Sequence, residues 1–343
     1  AINTTKGSFI VDKAHIPIII VPQNFTFLEK GMAYIYVNTT GEVNATIADV
    51  VKNTRTLLNG EVSYDLKDLD PGIYTITAHF SGNDYYYPSN NETIFEVYKL
   101  NRTVDVVVHD IVYGNYEDIQ VFVKANGNVT IFVNSENGTF ELKDTGYGSQ
   151  GGSSVGHYQE FNGKTVWNIF DLPVGTYPVK VNYNGNKFYY PASGDAVFRV
   201  IPANTTVTID AHDIKVWDSE YLNVTVRDAN GRIMSDALGN ITLNINGAIY
   251  SEKIVNGIAR FVIPDLSVGD KEVWAYYDGD RNHNGNKSRA TFNVGQRNPI
   301  VNVTGQDIYV GQTENVHIEI PANATGYVVL TGNFTDHAIL ITE

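Results

Sequence analysis

Histidine is followed by aspartate at His109-Asp110 and His212-Asp213, and an imidazole beside a carboxylate is a common base in acid–base catalysis. Both pairs fall eight and nine residues after an Asn that opens a repeat, and the third equivalent is Gln306-Asp307. Gln cannot serve as that base. The shared element is therefore Asp-Ile, read as a turn whose Asp caps backbone amides. Asp280, Asn282 and Asn284, followed by Gly285, place oxygens at alternate positions as the first half of a calcium loop does. The twelfth place of such a loop is Thr291 rather than an acid, so a polar hairpin loop is the simpler reading. Tyr85-Tyr86-Tyr87 and Phe188-Tyr189-Tyr190 each precede a Pro and offer rings on which a sugar could stack. Packing on the last strand or on a neighbouring module is their plainer use. Tyr147 and Tyr158 stand in a Gly/Ser-rich insertion and are further binding candidates, because long loops on a rigid scaffold often carry recognition. Lys13 alone occupies a place from which a Lys–Asn isopeptide link could form, and none is expected. There is no Gly-x-Ser-x-Gly, phosphate loop or His-rich metal spacing, so no catalysis and no cofactor is expected.

What positions these residues is a repeat. Asp171–Pro191, residues 68–88 and residues 265–285 share an Asp-Leu-x-x-Gly opening, with Gly72, Gly175 and Gly269 aligned and Gly82, Gly185 and Gly279 aligned. Between those glycines Tyr74, Ile76, Ala78 and Phe80 alternate with Thr75, Thr77 and His79, the period of a half-buried antiparallel strand. A Tyr two residues after the first Gly resembles the tyrosine corner of immunoglobulin-like sandwiches; the third copy has Lys271 there, which removes the corner. Asn101-Arg-Thr-Val, Asn204-Thr-Thr-Val and Asn298-Pro-Ile-Val mark the openings, giving repeats of 103 and 94 residues with short linkers.

The expected organisation is an N-terminal tail or extra strand over 1–13, then sandwiches over 14–100, 101–202 and 203–297. The second carries the insertion 144–163, and 298–343 is a partial fourth domain of about four strands, stopping before its Asp-Leu-x-x-Gly element. In domain 1 strands are expected over 16–21, 33–37, 43–47, 61–66, 74–80 and 93–98. Gly7–Asp12 also reads as a strand. Nine Asn-Gly dipeptides read as hairpin turns, because both residues accept positive φ. The fold class is all-β: tandem immunoglobulin-like sandwiches in a rod.

The chain has no Cys, and its net charge of −14 with no Lys/Arg cluster argues against nucleic acid and anionic membranes as partners. No apolar run is long enough to span a bilayer. Of 36 Asn, 15 stand in Asn-x-Ser/Thr: Asn3, Asn24, Asn38, Asn44, Asn91, Asn101, Asn128, Asn137, Asn204, Asn223, Asn240, Asn286, Asn302, Asn323 and Asn333. With 43 Ser and Thr in 343 residues, chance gives about 4 or 5, so the excess points to an N-glycosylated, extracellular surface. An N-terminal Ala is consistent with a processed secretory chain.

With opening Asn-x-Thr-Val, Asp-Ile, then Leu-x-x-Gly-x-Tyr, Tyr-x-Gly-Asn and Tyr-x-Pro, the repeats resemble bacterial-type immunoglobulin-like domains, in the form seen in methanogen adhesin-like surface proteins. The resemblance implies attachment to other cell surfaces or glycans. A structural stalk or fibre subunit follows, in which Gly7–Asp12 of one copy could pair with the fourth domain of another; the simpler reading of the partial domain is a piece of a longer repeat array. The alternative is a carbohydrate-binding accessory region of a cell-wall enzyme, using the two aromatic triplets.

Overall fold

The computed structural model describes residues 6–145, 161–322, 324–332 and 337–341. Every regular element among them is a β-strand. Module 2 shows the plan. One sheet runs Asp105–Val107, Glu117–Val123, Gly163–Ile169, Lys143–Asp144, and the other runs Ile111–Val112, Ala192–Ile201, Gly175–Tyr183, Asn128–Val133, Glu136–Glu141. All pairings are antiparallel except Ile111–Val112, which lies parallel to Ala192–Ile201. The chain thus crosses from one sheet to the other between Val107 and Ile111, at the His109-Asp110 step. Modules 1 and 3 repeat the arrangement, with Phe25–Thr26 and Ile214–Lys215 as the parallel crossing strands. Two facing sheets whose first strand is shared between them form an immunoglobulin-like sandwich.

Alternation builds each core. Along Glu117–Val123 every second residue is buried, and Ile119 and Val121 face Val129, Ile131, Val181 and Phe198. Full burial of each such side chain contributes about 1.5–3 kcal/mol. Ile35, Phe80 and Phe95 do the same for module 1, and Leu222, Ile241 and Phe261 for module 3. Modules 1 and 2 form one compact unit, Ala1–Ile201, and Pro202–Glu343 forms a second.

The motif residues have backbone reasons. Asp68, Asp171 and Asp265 all sit in the left-handed region, at φ 59°, 55° and 57°, where Asp is better tolerated than most residues. Gly82, Gly185 and Gly279 are left-handed too, and a Cβ there would stand 3.0, 2.8 and 2.6 Å from a backbone oxygen four residues on. Only Gly fits.

Four expectations are corrected. Gly7–Asp12 forms no strand: it has no ladder partner, and Phe9, Ile10 and Val11 are 87, 93 and 83% exposed. Asn137-Gly138 is not a turn but part of strand Glu136–Glu141, because Asn134-Ser135 already closes that hairpin between Val133 and Glu136. Asn284-Gly285 likewise opens strand Asn284–Gly295. The tyrosine corner is replaced in module 3 rather than lost. Tyr74 and Tyr177 donate to the carbonyls of Asp70 and Pro173 at 2.9 and 2.6 Å, and buried Lys271 donates Nζ to Ser267 Oγ at 3.2 Å, four residues back as before. Strand bounds also differ: Ile19–Pro22 starts later than the apolar run, and Phe25–Thr26, Val50–Val51 and Arg55–Thr56 are too short to show a period.

Residues 298–341 carry two separate ribbons, Asn302–Thr304 with His317–Glu319 and Gly326–Leu330 with His337–Ile341. Their equivalents in module 2 are Asp105–Val107, Glu117–Val123, Asn128–Val133 and Glu136–Glu141. Gly326, at φ 123°, matches Gly127 at 121° at the start of its strand.

Candidate functional site

The aromatic triplets lie in a tight turn that the repeat rebuilds each time. Asn83 Oδ1 accepts the amides of Tyr85 and Tyr86, Asn186 Oδ1 those of Phe188 and Tyr189, and Asp280 Oδ1 those of Asn282 and His283. The residue entering each module then pairs with the middle of the turn: Ala14 with Tyr86, Leu100 with Tyr189, Ala203 with His283. Middle residues point inward, and Tyr189 is fully buried. Tyr87 is half-buried against His15, ring centres 5.3 Å apart, and donates its hydroxyl to Asp12, whose carboxyl is thereby held below its ordinary range. Tyr85 at 77% and Tyr190 at 37% are the two triplet rings counted as exposed.

Phe188 is taken up by the neighbouring module. Its ring stacks on Phe27 at 5.1 Å, Lys187 Nζ meets Asp70 Oδ2 at 2.5 Å, and Lys99 Nζ donates to the Asn186 carbonyl. The second triplet therefore joins module 2 to module 1.

The calcium candidates sit in the same turn of module 3. Asp280 Oδ2 accepts the Leu238 amide at 2.8 Å and the Tyr277 hydroxyl at 2.9 Å, and His283 Nδ1 lies 2.9 Å from both carboxylate oxygens. Asn284 Nδ2 donates to Asn204 Oδ1. The carboxylate is thus engaged by protein donors. Burial alone would raise its pKa, yet the hydrogen bonds from Leu238, His283, Asn282 and Tyr277 hold it down at about 2. Burial, with Asp280 adding to it, pushes the Tyr277 phenol up.

At the sheet-crossing step the structure separates the His–Asp pairs. Asp110 Oδ1 accepts the Arg199 amide and Asp213 Oδ1 the Asn293 amide, each at 2.7 Å, which fastens the crossing strand to the last strand. The His side chains are largely exposed. The partner of His109 is instead Glu117, buried to 3% exposure, whose Oε1 accepts the His109 amide at 2.7 Å with the ring Nδ1 at 3.6 Å. Glu220 accepts the His212 amide at 2.9 Å and Glu314 the Gln306 amide at 2.8 Å. Burial raises the Glu117 pKa, opposed by the His109 hydrogen bond. These glutamates were missed in the sequence, although each lies eight residues after the His or Gln. Module 1 has Gly31 at that place, with the Phe25 ring filling the space.

Twelve of the 15 sequon asparagines fall among the described residues, and none of the twelve is buried. Asn3, Asn323 and Asn333 lie outside the described residues, as do Tyr147 and Tyr158 of the insertion. Asn24, Asn91 and Asn286 use their amide nitrogens within the fold, toward the Tyr98 hydroxyl and the carbonyls of Ile18 and Thr205. Among the described residues no group of three or more His, Cys, Asp or Glu could hold a metal, and no helix is long and apolar enough to cross a membrane.

The fourth module presents an apolar cleft of about 220 Å³ lined by Val316, Ile318, Ile320, Val328 and Ile339. In module 2 the strand equivalent to Gly326–Leu330 is paired on both sides. Among the described residues Gly326–Leu330 is paired to His337–Ile341 alone.

No protein-family model matches the chain, and no curated protein sequence matches it. Solved structures similar to it include the D1–D4 ectodomain fragment of ICAM-5, at 10% identity over 95% of this chain and 91% of that one, with a TM-score of 0.36. Titin domains A168–A170 match at 13% identity over 82% and 99%, with a TM-score of 0.31. The Escherichia coli adhesin FdeC matches at 14% over 84% and 100%, with a TM-score of 0.27. The sandwich assignment rests on the strand order and registers given above.

Proposed function

We propose that this chain is a non-catalytic, extracellular, N-glycosylated adhesin or fibre stalk, whose copies join by strand donation from residues 7–12 of one into the fourth module of another. The observation that carries this is that, among the described residues, Gly326–Leu330 is paired on one side only and lies beside an apolar cleft, in the same chain as an exposed, ladder-free Phe9-Ile10-Val11. A sheet edge with free amides and carbonyls pairs readily with an extended segment, and alternate side chains then fill the cleft. Burying each of those side chains fully contributes about 1.5–3 kcal/mol, set against the cost of association. The accessible sequons and the resemblance of the repeats to methanogen surface adhesins support the surface role. Its partners are then other cells' surfaces or their glycans.

Because the chain has no Cys, introduced thiols give a clean test. Copies with Cys at positions 9–11 are mixed with copies with Cys at 327–329 under mild oxidant. Disulfide-linked pairs are expected, and deletion of residues 1–13 should leave only monomers by light scattering. A wild-type chain that stays monomeric at all concentrations overturns the strand donation. Sequon peptides recovered unmodified from the native cell surface overturn the glycosylation.

A further inference from the structure

The three modules keep an inward row on their Gly-to-Gly strand that is apolar or aromatic except at Lys271, but their outward faces differ in chemical kind. Module 1 presents Thr77 and His79 beside Glu92 and Asn90, and module 2 presents Lys180 and Asn182 beside Asp195 and Ser193. Module 3 presents Trp274 and Tyr276 beside Arg289 and Lys287, with Asn244 and Thr242 on the other flank. The two rings lie within 22° of parallel with centres 6.3 Å apart, and both point away from the module 3 core. Lys287 Nζ and Arg289 Cζ stand 5.4 and 5.9 Å from the Trp274 ring centre. Glu272 completes the row, accepting the Trp274 indole N–H and lying 3.8 Å from Arg289.

The sandwich does not require two outward aromatics, since modules 1 and 2 are built without them. They supply half-buried flat apolar faces, with Lys287 and Arg289 over the Trp274 ring and a carboxylate, an amide and a hydroxyl beside them, on a chain whose net charge is −14. We propose that this face of module 3 binds an acidic polysaccharide, with sugar rings on Trp274 and Tyr276 and uronate carboxylates on Lys287 and Arg289. Glu272, Asn244 and Thr242 take sugar hydroxyls. The cation–ring contacts are no obstacle, because at an exposed site each is worth about 0.5–1 kcal/mol and the long side chains can turn to a carboxylate. Polyphosphate fits less well: nucleic-acid affinity comes from many phosphate contacts, whereas here two cations sit beside Glu272 on an acidic chain.

This inference rests on the surface role proposed above and names a ligand class for it. The test is calorimetric titration of the full chain with oligogalacturonate, an uncharged cello-oligosaccharide and a single-stranded DNA oligonucleotide. Oligogalacturonate should bind, and added salt should weaken it. Trp274→Lys with Tyr276→Asn, the residues of module 2 at the same places, should cost about tenfold or more in affinity, a difference of about 1.4 kcal/mol or more. Lys287→Ser with Arg289→Asp should cost a similar factor and flatten the salt dependence. Absence of oligogalacturonate binding, equal binding by both double variants, or stronger binding of DNA overturns the site. Antibody labelling of intact cells separates the two claims. A labelled surface with no glycan binding removes this site alone, and an unlabelled surface removes the surface role.

Discussion

Asp280→Asn isolates what a carboxylate adds to a turn that the other modules close with Asn. The new Oδ1 keeps the two amides that Asn83 and Asn186 also hold, those of residues 282 and 283. The second oxygen is lost to an NH2 that faces the Leu238 amide and the Tyr277 hydroxyl, with His283 Nδ1 also 2.9 Å away. The magnitude comes from the carboxyl itself. The hydrogen bonds hold its pKa down at about 2 against the ordinary 3.8, which at 1.36 kcal/mol per unit is about 2 kcal/mol of stability at neutral pH. The sign is that of a depressed carboxylate: the contribution is full above the unfolded pKa and is lost as pH falls through the folded one. About 2 kcal/mol at pH 7 becomes about 1 at pH 3 and is mostly gone at pH 2. Trp217 and Trp274 both lie in module 3 and Trp167 is the third Trp of the chain, so in a Trp167→Phe background indole fluorescence reports module 3. Urea unfolding of Asp280→Asn should show a loss of about 2 kcal/mol at pH 7 that narrows by about half at pH 3. A difference under about 0.5 kcal/mol at pH 7, or one that does not change with pH, shows that the carboxylate does not stabilise this turn.

Three further outcomes follow from the same geometry. Glu117 is raised by burial, so the folded state holds the extra proton and stability falls as pH rises from the ordinary Glu range through the raised value. With Trp217→Phe and Trp274→Phe leaving Trp167 as the module 2 probe, Glu117→Gln should abolish that part of the acid-side gain in urea midpoint; an unchanged pH slope would show the carboxyl is not responsible. Tyr177→Phe removes the 2.6 Å bond to the Pro173 carbonyl and should cost module 2 about 1 kcal/mol in the same assay, and no loss would mean that corner is ornamental. Phe188→Ala removes the ring that stacks on Phe27 and should cost about 1–3 kcal/mol, splitting the calorimetric transition of Ala1–Ile201 into two. A single unshifted transition would falsify the role of Phe188 as a joint between modules.

The sandwiches were legible because their signals are local. Alternation along Tyr74–Phe80 and the Asp-Leu-x-x-Gly turn each fit within a few residues, and the left-handed Asp and Gly explain why those letters recur. What was illegible depends on partners far along the chain. Glu117 reads as one acid among 38 Asp and Glu, and only folding shows it buried under the His109 amide. Gly7–Asp12 has the composition of a strand, but a strand is a pairing and composition cannot supply the partner. Lys271 looked like a loss because the corner was defined by a phenol. The requirement is a donor four residues past an acceptor, and an ammonium meets it with Ser267.

The same contrast locates function. Positions that recur through the repeats, among them the capping Asn or Asp and the left-handed Gly, serve turns that a sandwich needs whatever it does, and the buried Glu of modules 2 and 3 serves the crossing in the same way. A residue can carry a module's particular task only where changing it leaves the sandwich intact, which means on outward faces and open edges. The triplets that first suggested sugar stacking fail that criterion at Tyr189, which is buried, and at Phe188, which joins modules 1 and 2. Trp274 and Tyr276 satisfy it, since their counterparts Lys180 and Asn182 sit on the same strand face of an equally well-formed sheet. Sequence repeats therefore point to binding residues by their failures of agreement, provided that the register is known and the disagreement faces water.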